Sequence, residues 1–342
     1  DFELIYTSEA FRNFDGGIKT GGQYRQDLSL TLSLDTSAAG WWDNGEIFAH
    51  LQFQHGSGIT EDYVGDFQTL SNIDADNFDQ LSELWYKHNF LDGSLWLKAG
   101  KMESNEDFAA VIFGSEFINS SPGFSPTIPL VTYPDPDWGV ALGIEISKRF
   151  SLNVGVYQGR NNGSRSIGNT ADDLHGPMIM VEPIVHYNAF GRPGHVRFGF
   201  WHHGDQFERL DGDGEDNGTE GFYMTWDQSL SKDEEDGYGI FAQFGFSDGD
   251  VLEAKQYYGA GIQYAGNRLY TKDDRIGFGI FHVEFSSDAG FDRNSETALE
   301  LFYKIQATGW LAIKPDIQYI LNPGGTDNRN ALAAGFRFEI AL

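Results

Sequence analysis

The sequence predicts an all-β fold: a sixteen-stranded antiparallel transmembrane β-barrel with one long loop turned into its pore. Three observations lead there. Stretches of about ten residues alternate apolar and polar side chains, the period of a strand with one greasy and one wet face. The connections between them alternate between short and long, as in bacterial outer-membrane barrels. Glycine is abundant at 42 of 342 residues and aromatics reach 15%, which suits many strands and turns. No apolar run approaches the roughly 18 residues of a membrane helix. A mean hydropathy of −0.39 is no objection, because only alternate strand residues need be apolar.

The strands follow in order. A first lies near Phe2–Ala10. Tyr24–Asp35 sets Leu28, Leu30, Leu32 and Leu34 against Arg25, Asp27, Ser29, Thr31 and Ser33. Glu46–Gln54 sets Ile47, Ala49, Leu51 and Phe53 against Glu46, Phe48, His50 and Gln52. Leu81–Phe90 alternates less cleanly and puts Glu83, Trp85 and Lys87 on one side. Ser94–Gly100, Gly139–Ser147 and Ser151–Tyr157 continue the pattern. Met178–Tyr187, His195–His203, Phe222–Ser229 and Tyr238–Phe246 come next, then Tyr257–Tyr264, Arg275–Glu284 and Thr297–Gln306. In Ile313–Leu321, Ile313, Pro315, Ile317, Tyr319 and Leu321 share one face, and Lys314, Asp316, Gln318 and Ile320 the other. A proline removes a ladder hydrogen bond and is expected at a strand start or edge. Ala333–Leu342 closes the count at sixteen.

Short connections include Leu91–Ser94, Ser147–Phe150 and Ala307–Trp310. Long ones include Gly56–Gln80, Asn105–Asp137, Arg160–Pro177 and Asp205–Glu220. An even strand count places both termini at the periplasmic end. Apolar faces then meet outer-membrane lipid and polar faces a watery lumen, since a closed barrel satisfies the backbone that hydrocarbon cannot. On this reading Gln318→Arg is tolerated and Ile317→Arg is not. Sixteen strands leave the lumen open. The competing soluble β-sandwich rarely needs so many strands. Within 105–137 the stretch DFAAVIFGSEFI is too apolar for a free external loop and is expected to fold into the pore. The whole chain, 1–342, reads as one barrel domain.

Lysine plus arginine is 23 and aspartate plus glutamate 51, a net charge of −28, which speaks against nucleic acid as a partner. Cysteine is absent, so disulfides and thiolate metal sites are excluded. No cofactor motif is present. The strand alternation assigns seven basic residues inward: Arg25, Lys87, Lys98, Arg197, Lys304, Lys314 and Arg337. It assigns nine acidic ones: Asp27, Glu46, Glu83, Glu145, Glu182, Asp227, Glu300, Asp316 and Glu339. Most of the net charge therefore lies in loops. An anion channel would show a ring of one positive sign; mixed donors and acceptors suit a neutral polyol. Inward aromatics such as Trp85 and Trp96 offer a face to the C–H side of a sugar ring.

Two further motifs compete. WHHGD (Trp201–Asp205) places histidines beside an aspartate, a pairing a barrel hydrolase could use, but no serine or second carboxylate accompanies it by spacing. DGDGEDNG (Asp211–Gly218) approaches a calcium loop, yet Asp216 stands where that loop requires glycine, and it reads as an acidic loop tip.

The motifs NFDGGIKTGGQY (Asn13–Tyr24), GDFQTLSNIDA (Gly65–Ala75), LSELWYKHNF, LKAGKMESNEDFA (Leu97–Ala109) and FINSSPGF (Phe117–Phe124) occur in order, and ELFYKIQ, PDIQYILNPGG and AAGFRF close the chain. Together they resemble the carbohydrate-selective porins of the OprB family. The resemblance implies a sixteen-stranded outer-membrane channel for passive sugar uptake. The chain departs from the family in shorter middle loops, which bears on sugar specificity, and in ending on Leu342 rather than phenylalanine. The expected pore constriction combines Arg25, Glu83, Trp85, Trp96, Lys98, Lys101, Glu103, Asp107 and Arg197. Lys98 and Arg25 would donate to sugar hydroxyls, Glu83 and Asp107 accept, and Trp85 or Trp96 take the ring face. Glu103, Glu106 and Asp107 would face Lys98 and Arg25. A general or cation-preferring porin is the alternative, with the barrel hydrolase behind it. Monomer and homotrimer both remain open.

Overall fold

The computed structural model describes residues 1–159, 176–231, 237–266 and 269–342. The expected long connection 160–177 lies outside them except at its last two residues. Sixteen strands form: β1 (Phe2–Asp15), β2 (Gly21–Asp35), β3 (Gly45–Gly56), β4 (Phe78–Phe90), β5 (Leu95–Met102), β6 (Asp137–Ser147), β7 (Phe150–Tyr157) and β8 (Met178–Ala189). They continue as β9 (Arg192–Glu208), β10 (Glu215–Ser229), β11 (Gly237–Ser247), β12 (Ala254–Ala265), β13 (Arg275–Phe285), β14 (Ser295–Thr308), β15 (Leu311–Leu321) and β16 (Ala331–Ala341). Each pairs with its sequence neighbours, and β1 pairs antiparallel with β16, so the sheet is a closed barrel without edges.

Alternation sets the two faces. On β15, Lys314, Asp316, Gln318 and Ile320 are buried inside, whereas Ile317 and Tyr319 are exposed on the outer wall. Phe336 and Phe338 continue that outer row on β16. Pro315 sits in mid-strand, not at an edge, because a closed barrel has none. The β14–β15 ladder skips it: pairing runs to Phe302 opposite Asp316 and resumes at Ile305 opposite Ile313. Pro183 does the same on β8, where the pairing with β9 passes from Val181 to Ile184.

β4 departs from simple alternation. His50 of β3 pairs with Glu83 and Leu51 with Leu81, so Ser82 is an extra residue on β4. The bulge turns both Ser82 and Glu83 inward, where they are buried.

Buried apolar side chains collect inside the barrel. Phe113, Phe117 and Ile118, from the connection between β5 and β6, join Phe241, Phe281 and Phe302 of the inner wall. Phe108 joins Tyr157, Met180, Trp201 and Tyr223 in a second cluster. Glycines on the inner wall make room for these rings. A Cβ at Gly239 would lie 2.1 Å from Phe113 Cδ1, and one at Gly279 would lie 2.7 Å from Phe117 Cε1.

Candidate functional site

Lys98 projects from the inner face of β5 and is only 3% exposed. Its Nζ donates to Glu106 at 2.9 Å and to Asp107 at 3.1 Å, and lies 4.7 Å from the Trp85 ring centre. Trp85 stacks on Phe48 at 4.8 Å, and its Nε1–H donates to Glu83 at 3.2 Å. Glu83 also accepts the Glu103 backbone N–H at 3.2 Å and approaches His50 within 3.8 Å. Glu103 accepts from the Thr132 hydroxyl at 3.0 Å. Burial first, and then the neighbouring Glu83 and Glu106 carboxylates, push the Glu103 carboxyl up to about 7.

Five of the nine predicted residues thus gather: Glu83, Trp85, Lys98, Glu103 and Asp107. Trp96 flanks them, with Lys87 Nζ 5.0 Å from its ring centre. Lys101 is spent on the Leu81 carbonyl at 2.8 Å. Arg197 donates to Glu182 at 3.1 Å, and Glu182 in turn accepts the Ala109 N–H and the Tyr223 hydroxyl, each at 2.7 Å. Arg25 stands elsewhere. It pairs with Asp74 at 2.9 Å and donates to the Ala75 carbonyl, so its carboxylate partner comes from the 57–77 connection and not from Glu103, Glu106 or Asp107.

Several residues that sequence reasoning placed inward but outside the constriction complete the picture. Inner-wall carboxylates accept backbone N–H groups of the two long connections. Asp227 takes Phe113, Glu300 takes Ile118 and Asn119, and Glu296 takes Phe67 and Gln68 together with Gly324 of the β15–β16 connection. Inner-wall cations take carboxylates of the same connections. Lys304 and Lys314 lie 3.0 and 2.9 Å from Glu116. Burial works to raise the Glu116 carboxyl, but the two lysines outweigh it and hold it at about 2. Arg337 binds Glu9 of β1 and reaches Ser71 and Asn72. The signal was present in the inward Arg337, Lys314 and Glu300; their partners lie in segments without periodicity.

Two cavities lie beside these contacts, the first mainly polar and the second of mixed lining. One of about 490 Å³ is lined by Arg25, Thr60, Asp74, Asp76 and Asn77. The other, about 350 Å³, lies between the two connections and is lined by Gln68, Asn72, Ser125, Thr132 and Tyr133. Thr69, Asp74 and Pro134 line both.

The competing motifs resolve on geometry. His202 is half exposed and 3.8 Å from Glu220, whereas His203 is buried and bonded to the Gly159 carbonyl at 2.7 Å. Strand alternation puts the two histidines on opposite faces, so they do not act as a pair. In the acidic tip, Arg209 reaches Asp211, Asp216 and Asp250 at 3.0, 3.0 and 3.2 Å. A guanidinium stands where a bound cation would.

A closed sixteen-stranded barrel with a polar, charge-lined interior defines the class: a porin of the bacterial outer membrane. Residues 19–342 match the family described as carbohydrate-selective porin, OprB family, and the chain belongs to it. It is 25% identical to Porin B of Pseudomonas aeruginosa over 397 residues, covering 99% of this chain and 87% of that one. The high-pH structure of Pseudomonas putida OprB superposes with a TM-score of 0.89 at 22% identity, covering 100% of this chain and 94% of the other. Its low-pH structure gives 0.66 at 20% identity, covering 100% and 92%. The protein is an outer-membrane porin for passive diffusion of carbohydrates.

Proposed function

We propose that the channel passes monosaccharides or short oligosaccharides through a passage narrowed by segment 105–137, with segment 57–77 forming the opposite lip. The observation that carries this reading is the row of main-chain N–H groups from 109, 113, 118 and 119 held by Glu182, Asp227 and Glu300. It spans inner-wall residues of β8, β10 and β14, a large part of the barrel circumference. The sugar meets Arg25, Asp74, Asp76 and Asn77 first, an array of donors and acceptors around an open cavity. The Lys98 group lies more deeply enclosed and sets the field of the passage. Binding is weak, because conduction needs release as well as entry. Millimolar affinity, about −4 kcal/mol, is the expected scale. The outer apolar rows face lipid, and the chain works without covalent chemistry, as one barrel per pore whether alone or in a trimer.

A cation preference accompanies this activity. Glu106 and Asp107 both bind Lys98, and Glu83 holds the Trp85 ring that lies over its Nζ, so acids outnumber the lysine here and the passage leans negative. Planar-bilayer recording with sugar titration tests the reading. Glucose or maltose should reduce ion current at millimolar concentration, and Arg25→Ala should weaken that block more than Lys98→Ala does. Intact block in both variants would place sugar contact outside these groups.

A further inference from the structure

At the periplasmic half of the barrel, His186 of β8 pairs directly opposite His195 of β9. Both fall on the inner face, at the same parity as Glu182 and Arg197, and both are half-buried. Their Nδ1 atoms are 2.8 Å apart, with the rings near perpendicular at 86°. His186 Nε2 lies 3.0 Å from the Ser151 hydroxyl. The backbone N–H of His186 is tied to the Arg149 carbonyl in the β6–β7 turn at 2.9 Å, so the ring is carried on a fixed strand end. Two imidazole nitrogens this close must share a proton or a positive ion. The Ser151 hydroxyl can accept an Nε2–H from His186, and the tautomer that results presents the Nδ1 lone pair, the arrangement that orients histidine toward a metal.

We infer that His186 and His195 form a two-nitrogen chelate for a divalent transition metal, Cu²⁺ or Ni²⁺, on the channel wall near its periplasmic exit. Metal–nitrogen bonds of about 2.0–2.1 Å spanning that separation subtend roughly 85–90°. That is the angle of adjacent ligands in square-planar or tetragonal coordination, which Cu²⁺ and Ni²⁺ prefer. A tetrahedral zinc site would need its nitrogens farther apart. Among the described residues no three histidine or carboxylate side chains converge, so water fills the remaining positions and the site exchanges its metal freely. Arg197, on the same face two residues from His195, is paired with Glu182 at 3.1 Å. A metal held here adds positive charge to the lumen four residues along β8 from Glu182, which holds the Ala109 N–H.

The test uses tag-free protein in planar bilayers with CuCl₂ or NiCl₂ added to the periplasmic side. Current should fall, recover on adding EDTA, and require at least tenfold more metal in His186→Asn and His195→Asn. Asparagine keeps a polar side chain on the strand, and heat-modifiable mobility on gels checks that each variant is a closed barrel. The electron paramagnetic resonance spectrum of one equivalent of Cu²⁺ should show two nitrogen ligands in the parent and at most one in each variant. Equal block in parent and variants, or an unchanged two-nitrogen spectrum, would assign the metal to other histidines and overturn the inference. No block together with no nitrogen-ligated copper would overturn it as well.

Discussion

The Ile118 backbone N–H donates to Glu300 Oε1 at 2.7 Å, and the next N–H, that of Asn119, donates to Oε2 of the same carboxylate at 2.9 Å. One strand residue thus holds two consecutive peptide units of a loop separated from it by about 180 positions. A carboxylate suits this task, because it has lone pairs on two oxygens and makes charge-assisted bonds stronger than neutral ones. The Phe117 ring beside these N–H groups sits edge-on to Phe302 at 4.9 Å. The polar clamp and the apolar contact act on the same stretch.

Glu300→Ala should release that stretch. Two buried N–H groups lose their acceptor, at about 1–3 kcal/mol each. Single-channel conductance is expected to rise, with more open-channel noise and faster protease cleavage within 105–137. Glu300→Gln keeps one good acceptor oxygen and should fall between. Unchanged conductance in the alanine variant would mean that this stretch does not bound the pore.

Lys98→Ala removes the cation facing Glu106 and Asp107. Those two carboxylates are then uncompensated, and cation selectivity should rise sharply in reversal-potential measurements under a KCl gradient. Lys98→Arg restores the charge but not the fit above Trp85, so it should recover selectivity better than conductance. Parent-like selectivity in the alanine variant would place the selectivity filter elsewhere.

Glu103 makes the channel respond to pH near neutrality. Its carboxyl stands at about 7 against an ordinary 4.5. The folded state therefore binds its proton more tightly, so its stabilising share is complete below about pH 4.5 and is lost as pH rises through about 7. Over the upper part of that window the passage also gains one negative charge. Cation selectivity should climb between about pH 6 and 8, and Glu103→Gln should flatten that climb. A climb of the same size and midpoint in Glu103→Gln would assign it to another group, His50 first.

Much of the fold was legible because a strand repeats every two residues and a barrel repeats strands. The rows of β15 and β16, with Ile317 outward and Lys314 inward, follow from that period alone. Glu83 was placed inward correctly, but the bulge at Ser82 that allows it leaves no mark in the alternation of β4. The partners of inward charges were not legible. Arg25 and Lys98 are both inward, yet one meets Asp74 and the other Glu106 and Asp107, because the path of an aperiodic connection decides which acid arrives. The inner glycines Gly239 and Gly279 also read as ordinary strand residues until Phe113 and Phe117 are seen lying over them.

The last prediction separates the two faces of β15. Ile317 is 42% exposed on the outer wall near the middle of the strand. An arginine there should cost roughly 2–4 kcal/mol at the bilayer midplane and impair assembly. Gln318, one residue on, is not the tolerant site that alternation alone suggests. It is fully buried, donates Nε2–H to the Leu70 carbonyl at 2.8 Å and accepts from Asn119 at 3.3 Å. Arginine at 318 overfills that space, at about 1–3 kcal/mol, but the strain falls on the two connections inside and not on the wall facing lipid. Gln318→Arg should therefore assemble into a heat-modifiable barrel with altered conductance, while Ile317→Arg should yield little assembled barrel. Where both variants reach the membrane, their current traces should differ: parent-like for Ile317→Arg, enlarged or noisy for Gln318→Arg. Equal loss of assembly in both would mean that the inner contacts of Gln318 are needed for the barrel to close.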